Sequence, residues 1–176
     1  CDAGVLRSQA NSGTPNEFGI DVAVDGDVIV VGEYSVDQSY VPGVGSVDVF
    51  ERTAAGAAWA YRETIPAPLN EENPGDYTNF GAAVAVSGEN IVVGASKQDA
   101  RNDDGGTVHD VGAVYVFARR DSTWSRTASL FSPDLPENYV NFGWSVDIDG
   151  DTVVVGARRE HGGSGAAYVY SCIVQG

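Results

Sequence analysis

The chain has 176 residues, of which 43% are hydrophobic, enough for one sizeable core or for an array of smaller repeated units. Ten basic residues stand against 25 acidic ones, and the resulting formal charge of −15 argues against nucleic acid or an anionic membrane as a partner. No apolar run reaches the length of a transmembrane helix, so we expect no membrane-spanning segment. Glycine is abundant and long stretches of helical periodicity are missing, which predicts an all-β fold.

Residues 1–17 precede the first recognisable motif and are predicted to contain an outer strand. Leu6 lies 12 residues before Phe18, and Leu130 likewise lies 12 residues before Phe142, at the end of a Trp-bearing strand. The segment Cys1–Leu6 therefore matches the last strand of a four-stranded unit whose other strands lie elsewhere.

A motif of two short strands then occurs three times. Each copy begins with a Phe-Gly pair, in order Phe18-Gly19, Phe80-Gly81 and Phe142-Gly143. The second strand of each copy ends at a glycine, in order Gly32, Gly94 and Gly156. Both steps are 62 residues, and a fixed period of strand-like segments indicates a repeat architecture.

Within each copy, an alternating strand meets a tight turn and then an unbroken apolar strand. The turns are predicted at Asp25-Gly26, Gly88-Glu89 and Asp149-Gly150, because Asp-Gly between two apolar runs is a strong hairpin signal. The apolar strands are predicted to be buried on both faces, and they are Val28–Val31, Ile91–Val93 and Thr152–Val155.

A third strand follows a glycine in every copy, and a Trp-bearing fourth strand follows in the first two. With the orphan strand of residues 1–6, the total is twelve strands. Four-stranded antiparallel units at fixed spacing are the blades of a β-propeller. We therefore predict one continuous array: an outer strand and loop of a split blade (1–17), two complete repeats (18–79 and 80–141) and an incomplete third (142–176).

The motif resembles the FG-GAP repeat of integrin α-subunit propellers and of many bacterial and archaeal surface proteins. The resemblance covers nearly the whole chain, with Gly32-Glu33-Tyr34, Gly94-Ala95-Ser96 and Gly156-Ala157-Arg158 in the Gly-Ala-Pro position. Proline is missing from all three copies, and the first copy also lacks the alanine. The resemblance implies β-propeller blades and an extracellular or cell-surface location.

Many members of that family carry a calcium loop between the first two strands of the motif. Two-residue turns replace it here and offer too few oxygen ligands, so we do not carry the family's calcium site over. The one acidic loop runs from residue 99 to 110, where Asp99, Asn102 and Asp104 are candidate Ca²⁺ ligands. Its spacing misses the calcium pattern and Arg101 lies within it, so a solvated turn is favoured and no cofactor is predicted.

The sequence predicts that the protein is not an enzyme. His109 and His161 are the only histidines; they lie at different positions in their repeats, and no nucleophile motif accompanies either of them. Trp59 and Trp124 recur at one strand position, which favours packing between blades over a sugar-binding platform.

Three blades are too few to close a propeller ring, so we expect Cys1–Leu6 to complete the third blade of another molecule. Head-to-tail donation gives either a closed six-bladed dimer or an open filament. The function hypothesis is thus a non-enzymatic extracellular structural or adhesion module that self-assembles by strand exchange. Two alternatives stand beside it: a fragment of a larger FG-GAP propeller that binds a protein or carbohydrate ligand, and a propeller-based hydrolase. The predicted partner is the protein itself, with another surface protein or a glycan as a further candidate.

The two cysteines, Cys1 and Cys172, are predicted to form a disulfide between chains. Alignment with the second repeat places Cys1 at the position of Ser125 and Cys172 at that of Arg119. A turn after residue 120 makes these positions neighbours on adjacent antiparallel strands, about 4.5–5.5 Å apart at Cβ. Such a bond implies an oxidising, extracellular location. The rival interpretation is a lipidated Cys1 and a free Cys172.

Overall fold

A computed structural model describes residues 4–9, 16–35, 43–68, 77–134 and 138–171. Antiparallel strands dominate this part of the chain. Their bounds are β1 Val22–Asp25, β2 Val28–Glu33, β3 Ser46–Glu51, β4 Ala60–Pro66, β5 Phe80–Ser87, β6 Asn90–Ala95, β7 Ala100–Arg101, β8 Thr107–Val108, β9 Ala113–Arg120, β10 Thr123–Leu130, β11 Phe142–Asp149, β12 Thr152–Ala157 and β13 Ala166–Ser171. One helical turn, α1, covers Glu160–Gly163 and has residues at positive φ inside it.

The long strands form three separate sheets that follow the three sequence repeats. Blade 1 has the order β1-β2-β3-β4, blade 2 the order β5-β6-β9-β10, and blade 3 the order β11-β12-β13. All neighbouring strands within these blades are antiparallel. The prediction of an all-β fold built from β-propeller blades is therefore confirmed.

Several local details differ from the predicted elements. In blades 1 and 3 the turn lies one residue later than predicted, because Asp25 pairs with Val28 and Asp149 pairs with Thr152. The turns are therefore Gly26-Asp27 and Gly150-Asp151, like Gly88-Glu89 in blade 2, and the glycine in each lies at positive φ. Glycine takes this conformation without the steric cost that a Cβ would add.

The strand count also differs from the predicted twelve. In the described part of the chain eleven strands form the blades, and β7 and β8 form a small separate hairpin inside the acidic loop that was predicted to be a solvated turn. Residues 4–6, the described part of the predicted orphan strand, belong to no sheet of their own chain. The first three residues of that strand lie outside the described residues.

The blades stack face against face. We call the face that carries the motif phenylalanine the front face of a blade, and the opposite one its rear face. The rear face of blade 1 packs on the front face of blade 2, and the rear face of blade 2 packs on the front face of blade 3. We call each of these contacts a joint. The first joint buries a cluster that includes Val28, Val30, Val47, Val49, Phe80, Val84, Ile91 and Val93. The second buries a cluster that includes Ala85, Val92, Val114, Val116, Phe142, Ile148, Val153 and Val155.

The apolar second strands are buried to different degrees because of this stacking. In β2 and β6 nearly every side chain is buried, as predicted, since a blade or connecting segment covers both faces. The prediction is wrong for β12, where Val154 is 39% exposed. Val154 points to the rear face of blade 3, and no further blade covers that face within the described part of the chain.

Equivalent valines in blades 2 and 3 test this stacking. Val92→Thr places a hydroxyl without a partner in the second joint and should lower the free energy of unfolding by about 1–3 kcal/mol. Val154→Thr makes the same change 62 residues later on the uncovered face and should stay within about 0.5 kcal/mol of the parent. Urea denaturation at low protein concentration measures both. Equal losses in the two variants would contradict the assignment of faces.

Candidate interaction faces

The motif phenylalanines occupy the same niche in successive blades. Phe80 and Phe142 are fully buried, and each packs against two aromatic rings of the third strand of its own blade, with centroid distances between 5.7 and 6.1 Å. Phe18 is only half-buried and packs against Phe50 at 6.2 Å. The difference arises because a preceding blade covers Phe80 and Phe142 but none covers Phe18 in the described residues.

The backbone of each buried Phe-Gly pair lies directly on two glycines of the preceding blade. A Cβ on Gly32 would overlap the carbonyl oxygen of Gly81, and a Cβ on Gly45 would overlap that of Phe80. The second joint repeats this arrangement with another two glycines, as Gly94 lies against Gly143 and Gly112 against Phe142. We call each pair of receiving glycines a socket.

Hydrogen bonds fix the Phe-Gly pair in its socket. The amide of Phe80 donates to the carbonyl oxygen of Val44 at 3.2 Å, and the amide of Phe142 donates to that of Val111 at 2.9 Å. Both acceptors directly precede the second glycine of their socket. The close backbone approach explains physically why the motif glycines recur, since any larger residue would separate the two blades.

A third socket is present in blade 3 and receives nothing from the described residues. Its glycines are Gly156 and Gly165, by their place in the repeat. A Cβ on Gly156 would meet only the hydroxyl of Ser145 in its own blade, and one on Gly165 would meet only backbone of its own loop.

The hairpin turns contribute a second repeated contact between blades. The amide of Gly88 donates to a carboxylate oxygen of Asp25 at 2.6 Å, and the amide of Gly150 donates to the hydroxyl of Ser87 at 3.1 Å. Acceptor and donor are 63 residues apart in both cases. One further repeat along, Asp149 takes the acceptor position in blade 3.

Two faces at the ends of the stack are open. On the rear face of blade 3, Val169 is 69% exposed, whereas the equivalent Val116 is buried in the second joint. On the front face of blade 1, Val24 is 65% exposed, whereas the equivalent Val86 is only 8% exposed. Both open faces carry apolar side chains at positions that are buried in the internal joints, but acidic residues replace some of them: Glu33 and Asp48 on the front face and Asp147 on the rear face.

The predicted disulfide lies outside the described residues, because Cys1 and Cys172 both do. In blade 2, Trp124 pairs with Arg119 and Ser125 pairs with Ala118, with a two-residue turn after Arg120. The Ser125 and Arg119 positions, which align with Cys1 and Cys172, therefore lie on adjacent strands but one residue out of register, with their side chains on opposite faces of the sheet. The pairing of the cysteines stays a prediction.

Asp99 and Asn102, two candidate calcium ligands of the acidic loop, form hydrogen bonds with different groups. Asp99 accepts hydrogen bonds from the amide of Asp110 at 2.9 Å and pairs with the imidazole of His109 at 3.0 Å. Asn102 accepts from the amide of Gly106 at 2.6 Å, which closes the turn between β7 and β8. Asp104 is exposed. Asp99 lies just before β7 and Asn102 in the turn between β7 and β8.

Trp59 and Trp124, which recur at one strand position, differ in burial, and both histidines lie at the surface. Trp124 is buried in the first joint, whereas Trp59 is half-buried beneath the guanidinium of Arg52 at 4.7 Å from the ring centroid. His109 and His161 are exposed, each beside one aspartate.

A buried pair of carboxyl groups in blade 1 was missed by sequence reasoning. Glu33 and Asp48 are both fully buried. Ser8 and Asn16 donate to one oxygen of Glu33, and the amide of Gln9 donates to Asp48, so the pair holds the N-terminal segment on the front face of blade 1. Burial, reinforced by the charge of Asp48, raises the pKa of Glu33 from 4.5 to about 7. Glutamate in the Gly-Ala-Pro position was the sequence signal for this pair.

A second group missed from the sequence consists of Asp134, Glu160 and His161, which lie together beside blade 3. The only sequence signal was the change from Gln98 to Glu160 across one repeat, and that signal is weak by itself.

Comparison with protein families gives a match over more than half of the chain. Residues 70–117 and 124–170 match the family model of the FG-GAP repeat. No curated protein matches the chain at a significant level. Among the described residues, no helix has the length and apolar character needed to cross a membrane.

The sockets predict different outcomes for the same substitution in two blades. Gly94→Ala should lower the free energy of unfolding by about 1–3 kcal/mol, because the new methyl group would push against the backbone of the next blade. Gly156→Ala should cost much less, since only the movable hydroxyl of Ser145 stands in its way. Chemical denaturation of both variants is the measurement, and a loss at Gly156 as large as at Gly94 would contradict the socket assignment.

The raised pKa of Glu33 predicts a pH dependence of stability. Below about pH 4.5 its carboxyl group is protonated in both the folded and the unfolded chain. As the pH rises towards 7, the unfolded chain ionises this group more readily than the folded one, so stability falls across that window. Glu33→Gln should remove this component, while Glu89→Gln, an exposed acid, should retain it. Thermal midpoints measured between pH 4 and pH 8 test the difference.

Proposed function

Since the chain belongs to the FG-GAP repeat family, whose propeller modules mediate binding of ligands and other proteins, we propose that it is a non-enzymatic extracellular module that assembles with copies of itself. Its role in this proposal is structural or adhesive. Repeats of this family typify extracellular and surface proteins, which supports that location.

The observation that carries the proposal is the match between the two open faces. The front face of blade 1 offers Phe18-Gly19, and the rear face of blade 3 offers the socket of Gly156 and Gly165. A Phe-Gly pair and a glycine socket already pack together at both joints within the chain, so the two open faces carry the same complementary parts. A second copy placed head to tail would bury Val169 and Val24 as Val116 and Val86 are buried now. A contact of this heterologous kind gives a closed ring or a filament.

Strand donation extends the same contact. Blade 3 ends at β13, whose outer edge pairs with no strand among the described residues, whereas blades 1 and 2 each have a fourth strand there. Val5 is exposed, and residues 4–6 pair with no strand in the described part of the chain. We propose that Cys1–Leu6 of a neighbouring copy pairs with β13 and that Cys1 and Cys172 then join the two chains covalently.

One residue makes the proposed joint weaker than the internal ones. Asp147 faces the rear of blade 3 opposite Val154, where blade 2 has the buried Ala85 opposite Val92. A carboxylate entering an apolar contact carries a desolvation cost. The net charge of −15 adds a repulsion between copies that salt screens. The non-covalent joint is therefore expected to be reversible and stronger at high ionic strength.

Two exposed valines test the proposal without disturbing the fold. Val169→Asp blocks the rear open face and Val22→Asp blocks the front one, and either variant alone should stay monomeric in sedimentation under reducing conditions. A mixture of the two should form a one-to-one dimer, because each variant keeps the face that the other has lost. Asp147→Ala is the opposite control and should strengthen association.

Three outcomes contradict parts of this proposal. A parent chain that remains monomeric at every concentration and salt level would contradict self-assembly and favour open faces that other blades of a longer FG-GAP protein cover. A mixture that stays monomeric would contradict the head-to-tail arrangement. A monomer with a free thiol on Cys172 in non-reducing electrophoresis would contradict the covalent link, as a lipidated Cys1 predicts.

A further inference from the structure

Three side chains with metal-binding groups converge at the edge of blade 3, away from both open faces. Asp134 follows β10, and Glu160 and His161 lie in the turn after β12. One ligand atom from each residue lies within 4.8 Å of the others. The group therefore brings together the connection from blade 2 and a turn of blade 3.

Glu160 is the unusual member of this group because it is only 3% exposed. One of its carboxylate oxygens accepts a hydrogen bond from the hydroxyl of Ser132 at 2.7 Å. The other oxygen, Oε2, is buried and has no hydrogen-bond partner among the described residues. A buried carboxylate oxygen without a partner carries a high desolvation cost, and a bound cation compensates that cost.

In blade 2 an uncharged glutamine occupies the position that Glu160 has in blade 3. Gln98 lies 62 residues before Glu160, is buried, and accepts a hydrogen bond from the hydroxyl of Tyr115 at 2.5 Å. In blade 3 the equivalent tyrosine, Tyr168, donates instead to Asp134 at 2.9 Å. The exchange of an amide for a carboxylate thus coincides with a second acid that is held in place beside it.

The nearby arginines do not neutralise this group. The guanidinium of Arg158 lies over the ring of Trp144, 3.4 Å from its centroid. Arg159 forms no ion pair with Asp134 or Glu160 in the described part of the chain. The only cationic group paired with the cluster in the described residues is the imidazole of His161, 3.5 Å from Asp134, and it is a cation only when protonated.

We propose that Asp134, Glu160 and His161 bind one divalent transition-metal ion of the zinc type. An imidazole nitrogen favours zinc and other divalent transition-metal ions over calcium and magnesium, and carboxylates complete such sites. Ligands of a tetrahedral zinc ion lie about 3.4 Å apart, so the group must contract. The exposed side chain of His161 can move inwards, while Ser132 orients the carboxylate of Glu160 and Tyr168 that of Asp134.

This site does not rest on the proposed self-assembly, because none of its ligands lies on an open face. A bound ion would link the connection between blades 2 and 3 to the turn after β12. It would therefore stabilise the folded chain by binding the native state alone.

The test is titration of the full chain with ZnCl₂ in isothermal calorimetry, together with the thermal midpoint with and without zinc. The parent protein should bind one ion per chain and unfold at a higher temperature with zinc present. His161→Gln should weaken zinc binding by at least tenfold, since losing an outer partner of a ligand already has that effect. Glu160→Gln keeps the shape of the side chain and should cause a similar loss.

His109→Gln is the matched control, because His109 also pairs with an aspartate, at 3.0 Å, but belongs to no three-ligand group in the described residues. It should leave zinc affinity unchanged. Without zinc, no variant should unfold at a lower temperature than the parent, which separates loss of the site from loss of the fold; if Glu160→Gln does, Asp134→Asn replaces it. Unchanged zinc binding in His161→Gln, an equal loss in His109→Gln, no zinc binding by the parent, or displacement of zinc by an equal concentration of calcium would each overturn the proposal.

Discussion

The close approach of two backbones at each joint is the constraint on which the rest of this structure depends. A Phe-Gly pair lies on two glycines of the preceding blade, so that even one methyl group would separate the sheets. The phenylalanine ring packs on the front face of its own blade. The valines on the rear face of the preceding blade then contact the apolar side chains of that front face. Burial of apolar side chains stabilises each joint, and the glycines let the two sheets approach closely enough for those side chains to pack.

The three blades share this joint but differ in the polar groups around it. Blade 1 has the buried Glu33–Asp48 pair, which holds the segment leading into the first repeat. Blade 2 has the neutral Gln98–Tyr115 pair, and in blade 3 Glu160 takes the position of Gln98 and lies beside Asp134 and His161. The apolar interior is thus repeated, whereas each blade differs at its edge, where connecting segments pass. Differences in function between otherwise similar blades are expected at this edge.

Much of the fold was predictable because the repeat is visible in the chain itself. The spacing of Phe18, Phe80 and Phe142 defined the blades, and alternation together with turn signals placed most strands. The positions of the turns in blades 1 and 3 did not follow from the sequence, since Asp-Gly and Gly-Asp both satisfy the hairpin signal and only the strand register separates them. The exposure of Val154 depends on whether another blade covers the rear face of blade 3. The hydrophobic pattern of the strand is the same in all three copies and therefore does not predict this difference. The ligand group around Glu160 joins residues from two repeats, which no single motif contains.

The bond from Gly88 to Asp25 has a consequence for how such an array tolerates insertions. Because the hairpin tips of blades 2 and 3 donate an amide hydrogen bond to the preceding blade, each of these tips is part of the contact between sheets and its length is limited. The connection between the second and third strands carries no such bond at its tip in blade 2, where it accommodates an additional hairpin. New segments acquired during evolution would therefore accumulate at that connection, while the short turns stay at two residues as long as the blades remain stacked.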